Sequence, residues 1–318
     1  MLKFIFMGTP EFALPALESV KSSGHKLLAV VTQPDRPKGR GHQLAPPPVK
    51  VWADNNQVPV LQPDKIKGNK EFIKHVSNLD PDLIITCAYG QILPSELLNI
   101  PSLGCINIHA SLLPEYRGAS PIQQALIDGK EKTGITIFYM DEGMDTGDII
   151  IQKELEIHPD ENAGELHDRL SELGGKLLTD VIKMFEKGKP EGIPQDDDKA
   201  TYCGKIDKSM GEISWDQPAY VIRNLIRGLT PWPGAYTFIN QGKRLKIWKA
   251  IVETEDSSNQ RHTPGTVIKA DQSYGLQVAC GQGIIRIVEL QEQGGRRMSD
   301  VDYLRGNLIK TGTKFGRA

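Results

Sequence analysis

The sequence predicts an α/β protein in which a doubly wound, mostly parallel sheet is followed by a small β-barrel domain. Three observations lead to this prediction. Short apolar runs alternate with helical segments through the first part of the chain, as in βαβ units. A stretch rich in Gly, Pro and charge then follows from residue 188 to residue 199. Beyond it, short strand-like runs are separated by turn residues.

The elements of the first part follow from local patterns. A helix after Pro10 is indicated by apolar residues at helical spacing and by Gly24 as a stop signal. Buried strands are predicted at Leu2–Met7, Leu27–Thr32, Val58–Leu61, Leu83–Cys87, Cys105–Ile108 and Gly134–Met140. Helices are predicted at Pro10–Ser22, Glu71–Leu79, Pro121–Ile127 and Gly164–Lys187. Functional sites in such sheets lie outside the carboxyl ends of the strands. We therefore expect the functional residues in the loops that follow Met7, Cys87, Ile108 and Met140.

The second part of the chain contains mainly short predicted strands. Strands are predicted at Tyr236–Ile239, Leu245–Ala250, Thr266–Lys269, Leu276–Ala279 and Ile284–Leu290, with helices at Pro218–Leu229 and Ser299–Arg305. We therefore predict a catalytic domain at residues 1–190, a linker at 191–207 and a C-terminal domain at 208–318.

Composition excludes some classes of protein. Apolar residues make up 39% of the 318 residues, and no apolar run approaches the roughly 20 residues that a membrane span needs. The apolar N-terminus lacks a cleavage signal, so we expect a cytoplasmic protein. None of the four cysteines forms a C-x-x-C pair and no ligand cluster is evident, so we expect no metal. Net charge is −2, but residues 201–318 carry 17 Lys and Arg against 11 Asp and Glu, which weakly favours an acidic partner there.

Two polar motifs follow predicted strands. Asn107 and His109 are two residues apart, so their side chains point to one face of a strand. Asp145 lies in a glycine-bracketed loop after another strand. An amide that donates to an oxyanion, an imidazole that carries a proton and a carboxylate that orients it suit acyl transfer to an external nucleophile. Each residue alone is more often a backbone cap, a structural histidine or a turn aspartate, and spacing establishes only the shared face.

These motifs resemble the two signatures of the folate-dependent formyltransferases. The first is Asn107–Gly118 (NIHASLLPEYRG), continued by Ala119–Gln123, and the second is Asp141–Gly147 (DEGMDTG). The resemblance extends over essentially the whole chain and implies a Rossmann-like formyltransferase domain followed by an OB-like domain.

The resemblance also implies the roles of residues. It assigns the catalytic triad to Asn107, His109 and Asp145. It implies that 10-formyltetrahydrofolate is the co-substrate and that two segments contact it, namely Ser111, Leu112, Leu113 and Pro114, and the loop containing Tyr89, Gly90 and Ile92.

Within the family, the resemblance is greatest to the members that formylate the α-amine of methionyl initiator tRNA. The segments that carry it are Met7–Ala13, Thr32–Gly41, Pro46–Lys50, Ile213–Trp215, Arg227–Ala235 and Lys246–Ala250. The loop with Arg36, Lys38 and Arg40 resembles the tRNA-binding loop of those enzymes, and we expect these side chains to bind tRNA and the protein to act as a monomer.

Three alternatives remain. Relatives that formylate glycinamide ribonucleotide lack a C-terminal barrel of this kind. Relatives that formylate an amino-sugar nucleotide would use the same triad but do not call for the basic loop. A non-catalytic RNA-binding protein on a degenerate scaffold would have a broken triad, whereas all three triad residue types are present here.

Overall fold

The computed structural model describes residues 1–38, 43–239, 242–253 and 262–317. The chain divides into two compact units. The first comprises Met1–Pro121, Lys132–Glu156 and His167–Cys203, and the second comprises Ile122–Glu131, Ile157–Leu166 and Gly204–Ala318.

The elements up to residue 203 include every segment for which the sequence predicts a helix or strand. The strands are β1 (Lys3–Gly8), β2 (Lys26–Val31), β3 (Arg36–Lys38), β4 (Gln43–Ala45), β5 (Val60–Leu61), β6 (Leu83–Cys87), β7 (Cys105–His109), β8 (Arg117–Gly118), β9 (Lys132–Tyr139), β10 (Ile149–Glu156) and β11 (Tyr202–Cys203). The helices are α1 (Leu14–Ser22), α2 (Pro48–Asn55), α3 (Lys70–Leu79), α4 (Ser95–Leu98), α5 (Pro121–Ile127) and α6 (Ala163–Glu186).

The main sheet of the first unit has seven strands in the order β10-β9-β7-β6-β1-β2-β5. The strands from β7 to β5 pair in parallel, so the mostly parallel sheet is confirmed. β9 runs antiparallel to β7, with Asn107 opposite Phe138. The expectation that Met140 ends at the carboxyl edge is therefore wrong, because the chain leaves β9 beside the start of β7. The loop of residues 140–148 returns to the sheet through β10, a strand that the sequence pattern did not reveal.

The carboxyl edge of the parallel strands brings three loops together. Thr9 follows β1, Gln33 follows β2 and Tyr89 follows β6. The Thr9 hydroxyl and the Gln33 amide both donate to the carbonyl oxygen of Tyr89, at 2.9 and 3.3 Å. These bonds fix the loops at the edge where His109 ends β7.

The two faces of β7 differ as the alternation of the strand requires. Ile108 is buried on the α6 side, where a Cβ added to Gly174 would lie 3.1 Å from its Cγ2. Asn107 and His109 therefore face the other way.

Part of the segment that the sequence suggests as a linker packs within the first unit. β11 pairs in parallel with β8, and Gly118 lies opposite Cys203. Gly118 has a φ of +117°, and a Cβ there would lie 2.3 Å from the carbonyl oxygen of Cys203. Only glycine allows the two short strands to approach this closely.

The second unit contains an antiparallel sheet, and its strands include every segment that the sequence predicts as a strand of the small β-barrel. Its elements are α7 (Ala219–Gly228), β12 (Ala235–Ile239), β13 (Lys243–Glu253), β14 (Val267–Asp271), β15 (Gly275–Ala279), β16 (Ile284–Glu292), β17 (Met298–Ser299) and α8 (Asp300–Gly306). The sheet order is β12-β13-β16-β15-β14, with β17 beside β16. Its inner face packs on α7 and α8 around Trp215, whose indole N–H donates to the Thr237 hydroxyl at 2.9 Å.

Across the described ranges, no helix is long and apolar enough to span a membrane.

Candidate active site

Asn107 occupies a half-buried position near the end of β7. Its neighbour in the register on β6 is Thr86, whose hydroxyl lies 2.8 Å from Asn107 Oδ1. The same hydroxyl lies 3.0 Å from the Ile106 carbonyl oxygen and 3.2 Å from Met140 Sδ. One hydroxyl hydrogen serves one acceptor at a time, and the shortest contact is the one to Asn107. That bond directs the amide NH2 of Asn107 away from Thr86 and leaves it available to a ligand.

His109 is the last residue of β7 and is 6% exposed. Its Nε2 lies 2.9 Å from the carbonyl oxygen of Tyr116. Since a carbonyl oxygen only accepts, this contact requires a hydrogen on Nε2. The other nitrogen, Nδ1, then faces Asp145 Oδ2 at 3.7 Å.

Asp145 lies in the 140–148 loop and is held on its carboxylate and on its backbone. Oδ2 accepts the backbone N–H of Gly118 at 2.8 Å, and the backbone carbonyl accepts the side-chain amide of Gln195 at 2.8 Å. Its φ is +56°, in the left-handed region that non-glycine residues seldom adopt. The three residues of the sequence-predicted triad thus lie along one face of the sheet, with His109 and Asp145 in direct ionic range.

Two of these neighbours were not predicted from the sequence. Thr86 lies inside an apolar strand and resembles any buried threonine. Gln195 lies in the Gly- and Pro-rich stretch whose composition suggests a solvent-exposed linker. Nothing in the local sequence of either residue signals its proximity to the site.

The Ser111–Pro114 segment makes most of its contacts with the interior of the protein. Ser111 and Leu113 are buried, and the Ser111 hydroxyl donates to the Glu115 carbonyl oxygen at 2.6 Å. The Leu113 N–H donates to the Thr136 hydroxyl at 3.1 Å, which anchors the loop to β9. Leu112 and Pro114 are half-buried, so their side chains are the more accessible ones of this segment.

The loop after β6 has a mixed environment. Tyr89 is buried, whereas Gly90 is exposed with a φ of +92° and Ile92 is 79% exposed. Burial raises the pKa of the Tyr89 hydroxyl, which stays neutral. Gly90 and Ile92 thus offer backbone and an apolar side chain at the carboxyl edge.

A cleft of about 760 Å³ lies at the start of β7 and the end of β9. It is lined by residues of 95–105, 139–148 and 189–192, including Leu98, Cys105, Met140, Asp141 and Glu142. Met140 links the cleft to Asn107, because its Sδ contacts the Thr86 hydroxyl that Asn107 also contacts. The volume is typical of sites for small organic ligands.

The basic loop is fixed at its base. Lys50 Nζ contacts both carboxylate oxygens of Asp35, at 2.9 and 2.8 Å, and the Gln62 amide donates to Asp35 Oδ1 at 2.8 Å. The bonds from Gln62 and Lys50 lower the pKa of Asp35, which stays ionised. Arg36 is exposed on β3, the backbone of Lys38 ends that strand, and Arg40 lies outside the described residues.

Among the residues that the structure describes, no group of three His, Cys, Asp or Glu side chains is arranged to hold a metal ion.

Comparison with known proteins defines the class. The sequence profile described as formyl transferase matches residues 2–182, and that of the formyl transferase C-terminal domain matches residues 205–308. The first match covers more than half of the chain and contains the whole Asn107–Asp145 arrangement. The chain belongs to the formyl transferase family.

Within this family, the chain is similar along its full length to methionyl-tRNA formyltransferases. The one from Ruminiclostridium cellulolyticum is 48% identical over 316 residues, covering 99% of this chain and 100% of the relative. The one from Syntrophus aciditrophicus is 49% identical over 315 residues, covering 99% of both chains.

Solved structures are similar in fold at lower identity. An N-formyltransferase from Helicobacter canadensis, in complex with folinic acid and dTDP-3-aminofucose, has a TM-score of 0.65 and 19% identity, covering 90% of this chain and 98% of that one. HypX from Aquifex aeolicus, in complex with tetrahydrofolic acid, has a TM-score of 0.63 and 15% identity, covering all of this chain and 51% of that one.

Proposed function

We propose that this enzyme transfers the formyl group of 10-formyltetrahydrofolate to the α-amine of methionyl initiator tRNA. The observation that carries the proposal is the 48% identity to a methionyl-tRNA formyltransferase along the full length of both chains. The preserved arrangement of Asn107, His109 and Asp145 supports a catalytic rather than a degenerate member of the family.

We propose that the folate binds in the cleft at the start of β7. Its volume and its combination of apolar walls with carboxylates match a bicyclic ring system that carries several N–H donors. The exposed Ile92 and Gly90, together with Leu112 and Pro114, are proposed to contact the rest of the molecule at the carboxyl edge. Ser111, Leu113 and Tyr89 support this wall from the interior. Bound here, the folate supplies the formyl carbon on its N10 nitrogen.

The side chains then serve the transfer as follows. The amide of Asn107, oriented by Thr86, donates to the oxyanion that develops on the formyl oxygen. His109, oriented by Asp145 at Nδ1, also stabilises this oxyanion. The attacking amine must lose a proton and N10 must gain one when its bond to the formyl carbon breaks. Because the Nε2 hydrogen of His109 is held by Tyr116, we propose that a water molecule carries these protons past the imidazole.

Two regions are proposed to bind tRNA. One is the basic loop with Arg36, Lys38 and Arg40, whose base is fixed through Asp35. Arg36 is exposed next to this fixed base, and a basic side chain in such a position suits contact with phosphates of the acceptor arm.

The other region is a face of the second unit where cations cover aromatic rings. Arg244 lies 3.5 Å from the Tyr236 ring centroid, and Lys246 and Arg297 lie 5.0 and 5.3 Å from that of Trp248. Burial, followed by repulsion from Arg244 and Lys208, lowers the pKa of Lys246, as expected where positive charge accumulates. Such surfaces combine backbone charge contacts with stacking on bases. We propose that the protein acts as a cytoplasmic monomer.

The test is a comparison of acceptors. Purified enzyme is assayed for formyl transfer to initiator methionyl-tRNA, to an amino-sugar nucleotide and to glycinamide ribonucleotide. We expect activity only with the tRNA. Preferential use of either small acceptor, or none of the three, would overturn the proposal.

The basic loop is tested by the Arg36→Ala/Arg40→Ala variant. It should lower kcat/KM for the tRNA, leave folate affinity unchanged and make the salt dependence of tRNA binding shallower by up to about one unit per lost phosphate contact. Lys183→Ala, an exposed lysine on α6, is the matched control. A salt dependence equal to that of the control would remove the loop from tRNA binding.

A further inference from the structure

The residues between the two matches to the family, after 182 and before 205, are assigned to neither domain. The structure places those up to Cys203 in the first unit, where they include a set of four residues that contact the surroundings of His109. We name this set the brace: Gln195, Asp197, Thr201 and Cys203.

Gln195 is the centre of the brace. Its Nε2 donates to the carbonyl oxygens of Asp145 and Gly147, both at 2.8 Å. Its Oε1 accepts from Arg117 Nε at 3.1 Å and from a terminal nitrogen of the same guanidinium at 2.8 Å. A guanidinium only donates and a carbonyl only accepts, so the amide orientation is determined by its partners. One side chain thereby joins the Asp145 loop to Arg117.

Arg117 is an unusual anchor because it is 2% exposed. A buried guanidinium must be paired, and its charge partner is Asp197, whose Oδ1 lies 2.7 Å away. The arginine comes from the family motif, while Gln195 and Asp197 both come from the unassigned segment. Without Gln195 and Asp197, the buried positive charge of Arg117 would lack these two acceptors.

The brace also holds the other partner of His109. The Thr201 hydroxyl accepts the backbone N–H of Tyr116 at 2.8 Å, and the Thr201 carbonyl accepts that of Arg117 at 2.8 Å. The carbonyl of Cys203 accepts the N–H of Ala119 at 3.0 Å. Tyr116 is the residue whose carbonyl accepts from His109 Nε2.

Both partners of the imidazole adopt a conformation that needs support. Asp145 has a φ of +56° and Tyr116 a φ of +59°. Residues other than glycine remain in this region only when the surrounding structure holds them there. The brace bonds the backbone of each: the Asp145 carbonyl through Gln195, and the Tyr116 N–H through Thr201.

We propose that the brace positions His109 from both sides, with Gln195 as a positioning residue for the transfer reaction. This inference rests on the proposed function. It assigns a role in catalysis to four residues that are not proposed to contact either substrate.

The test replaces Gln195 by Ala and by Glu. Gln195→Glu keeps the size of the side chain but loses the two N–H donors to Asp145 and Gly147. Both variants should lower kcat about 10- to 100-fold, because a misplacement of about 1 Å in a catalytic group costs up to this much. KM for tRNA and for folate should stay within about two-fold, because no brace residue is proposed to bind either. Lys199→Ala is the control, since Lys199 lies in the same segment but pairs only with the exposed Asp196 among the contacts described.

A second readout separates positioning from general destabilisation. The imidazole ¹⁵N and ¹H NMR signals of His109, assigned with His109→Gln, should shift in both Gln195 variants and not in Lys199→Ala. This measurement does not need turnover, so it tests the brace even if the proposed reaction fails. Wild-type kcat together with unshifted His109 signals in a folded Gln195→Glu enzyme would overturn the proposal, and wild-type formyl transfer would then still stand. A Gln195→Glu enzyme that loses kcat with unshifted His109 signals would overturn it as well.

Discussion

Replacing Thr86 by valine tests how the candidate oxyanion donor is oriented. Thr86 is buried and its hydroxyl lies 2.8 Å from Asn107 Oδ1. Valine keeps the shape of the side chain and removes that bond. The amide of Asn107 then has no fixed direction, and a fraction of molecules presents Oδ1 instead of the NH2 to the formyl oxygen.

The magnitude follows from the two bonds concerned. Asn107→Ala removes the donor itself and should lower kcat on the order of 10²–10³-fold. Thr86→Val removes only the orienting bond, worth about 0.5–1.5 kcal/mol. At about 1.36 kcal/mol per decade, this corresponds to roughly a 2- to 13-fold loss in kcat. Since Thr86 acts through Asn107, the double variant should be no slower than Asn107→Ala alone.

The assay is single-turnover formyl transfer to initiator methionyl-tRNA at saturating folate, with folate affinity measured separately. Folate affinity should change little in all three variants. Asn107→Ala at near-wild-type rate would remove Asn107 from the mechanism. A double variant slower than Asn107→Ala by the full Thr86→Val factor would show that Thr86 acts independently of Asn107, and the orientation argument would be refuted.

Three further predictions concern the surroundings of the site. Asp145→Asn removes the carboxylate 3.7 Å from His109 Nδ1 and should lower kcat about 10²–10⁴-fold with the fold retained, so a near-normal rate in a rapid-quench assay would contradict the ion pair. Gly118→Ala adds a Cβ 2.3 Å from a carbonyl oxygen at a φ of +117° and should reduce the free energy of unfolding in urea by roughly 1–3 kcal/mol; an unchanged midpoint would refute the steric argument. Burial raises the pKa of the Cys87 and Cys105 thiols from 9.0 to about 12, so both should resist a thiol reagent in the folded protein at pH 8 and react after unfolding. The neutral form of both thiols stabilises the fold fully below pH 9, and this contribution should be lost as the pH rises towards 12. The melting temperature should therefore fall over this pH range, and it should fall less in Cys87→Ala.

Local sequence patterns predicted the elements of the sheet but not the direction of every strand. β6 and α5 have the predicted bounds, because a continuous apolar run and a Pro-initiated helix are strong local signals. The apolar residues of β9 would form the same pattern in a parallel or an antiparallel strand. Its antiparallel pairing is therefore not encoded locally. β10 was missed because its apolar run, Ile149–Ile151, is short and is followed by a mostly polar half, Gln152–Glu156. It lies at the edge of the sheet, and only one of its eight residues is buried.

The candidate site shows a similar division. The shared face of Asn107 and His109 follows from the period of a strand, and their sequence motif indicates the family. The position of Gln195 does not follow from its surroundings in the sequence, because a turn-rich, charged segment looks the same whether it is solvated or packed. Arg117 illustrates the reason: its charge partner Asp197 is 80 residues away along the chain, and only the tertiary fold brings them together.

The second partner of His109 changes the chemistry that the sequence alone suggests. The motif implies one partner, Asp145, and a histidine with one carboxylate partner resembles a general base whose other nitrogen is free for substrate. The carbonyl of Tyr116 occupies that other nitrogen at 2.9 Å. A ring whose Nε2 hydrogen is bonded and whose Nδ1 faces a carboxylate has no nitrogen lone pair directed at a substrate. The geometry therefore argues against His109 as a direct base and leaves proton movement to solvent, and the backbone of Tyr116 becomes as important to the orientation of the ring as the carboxylate of Asp145.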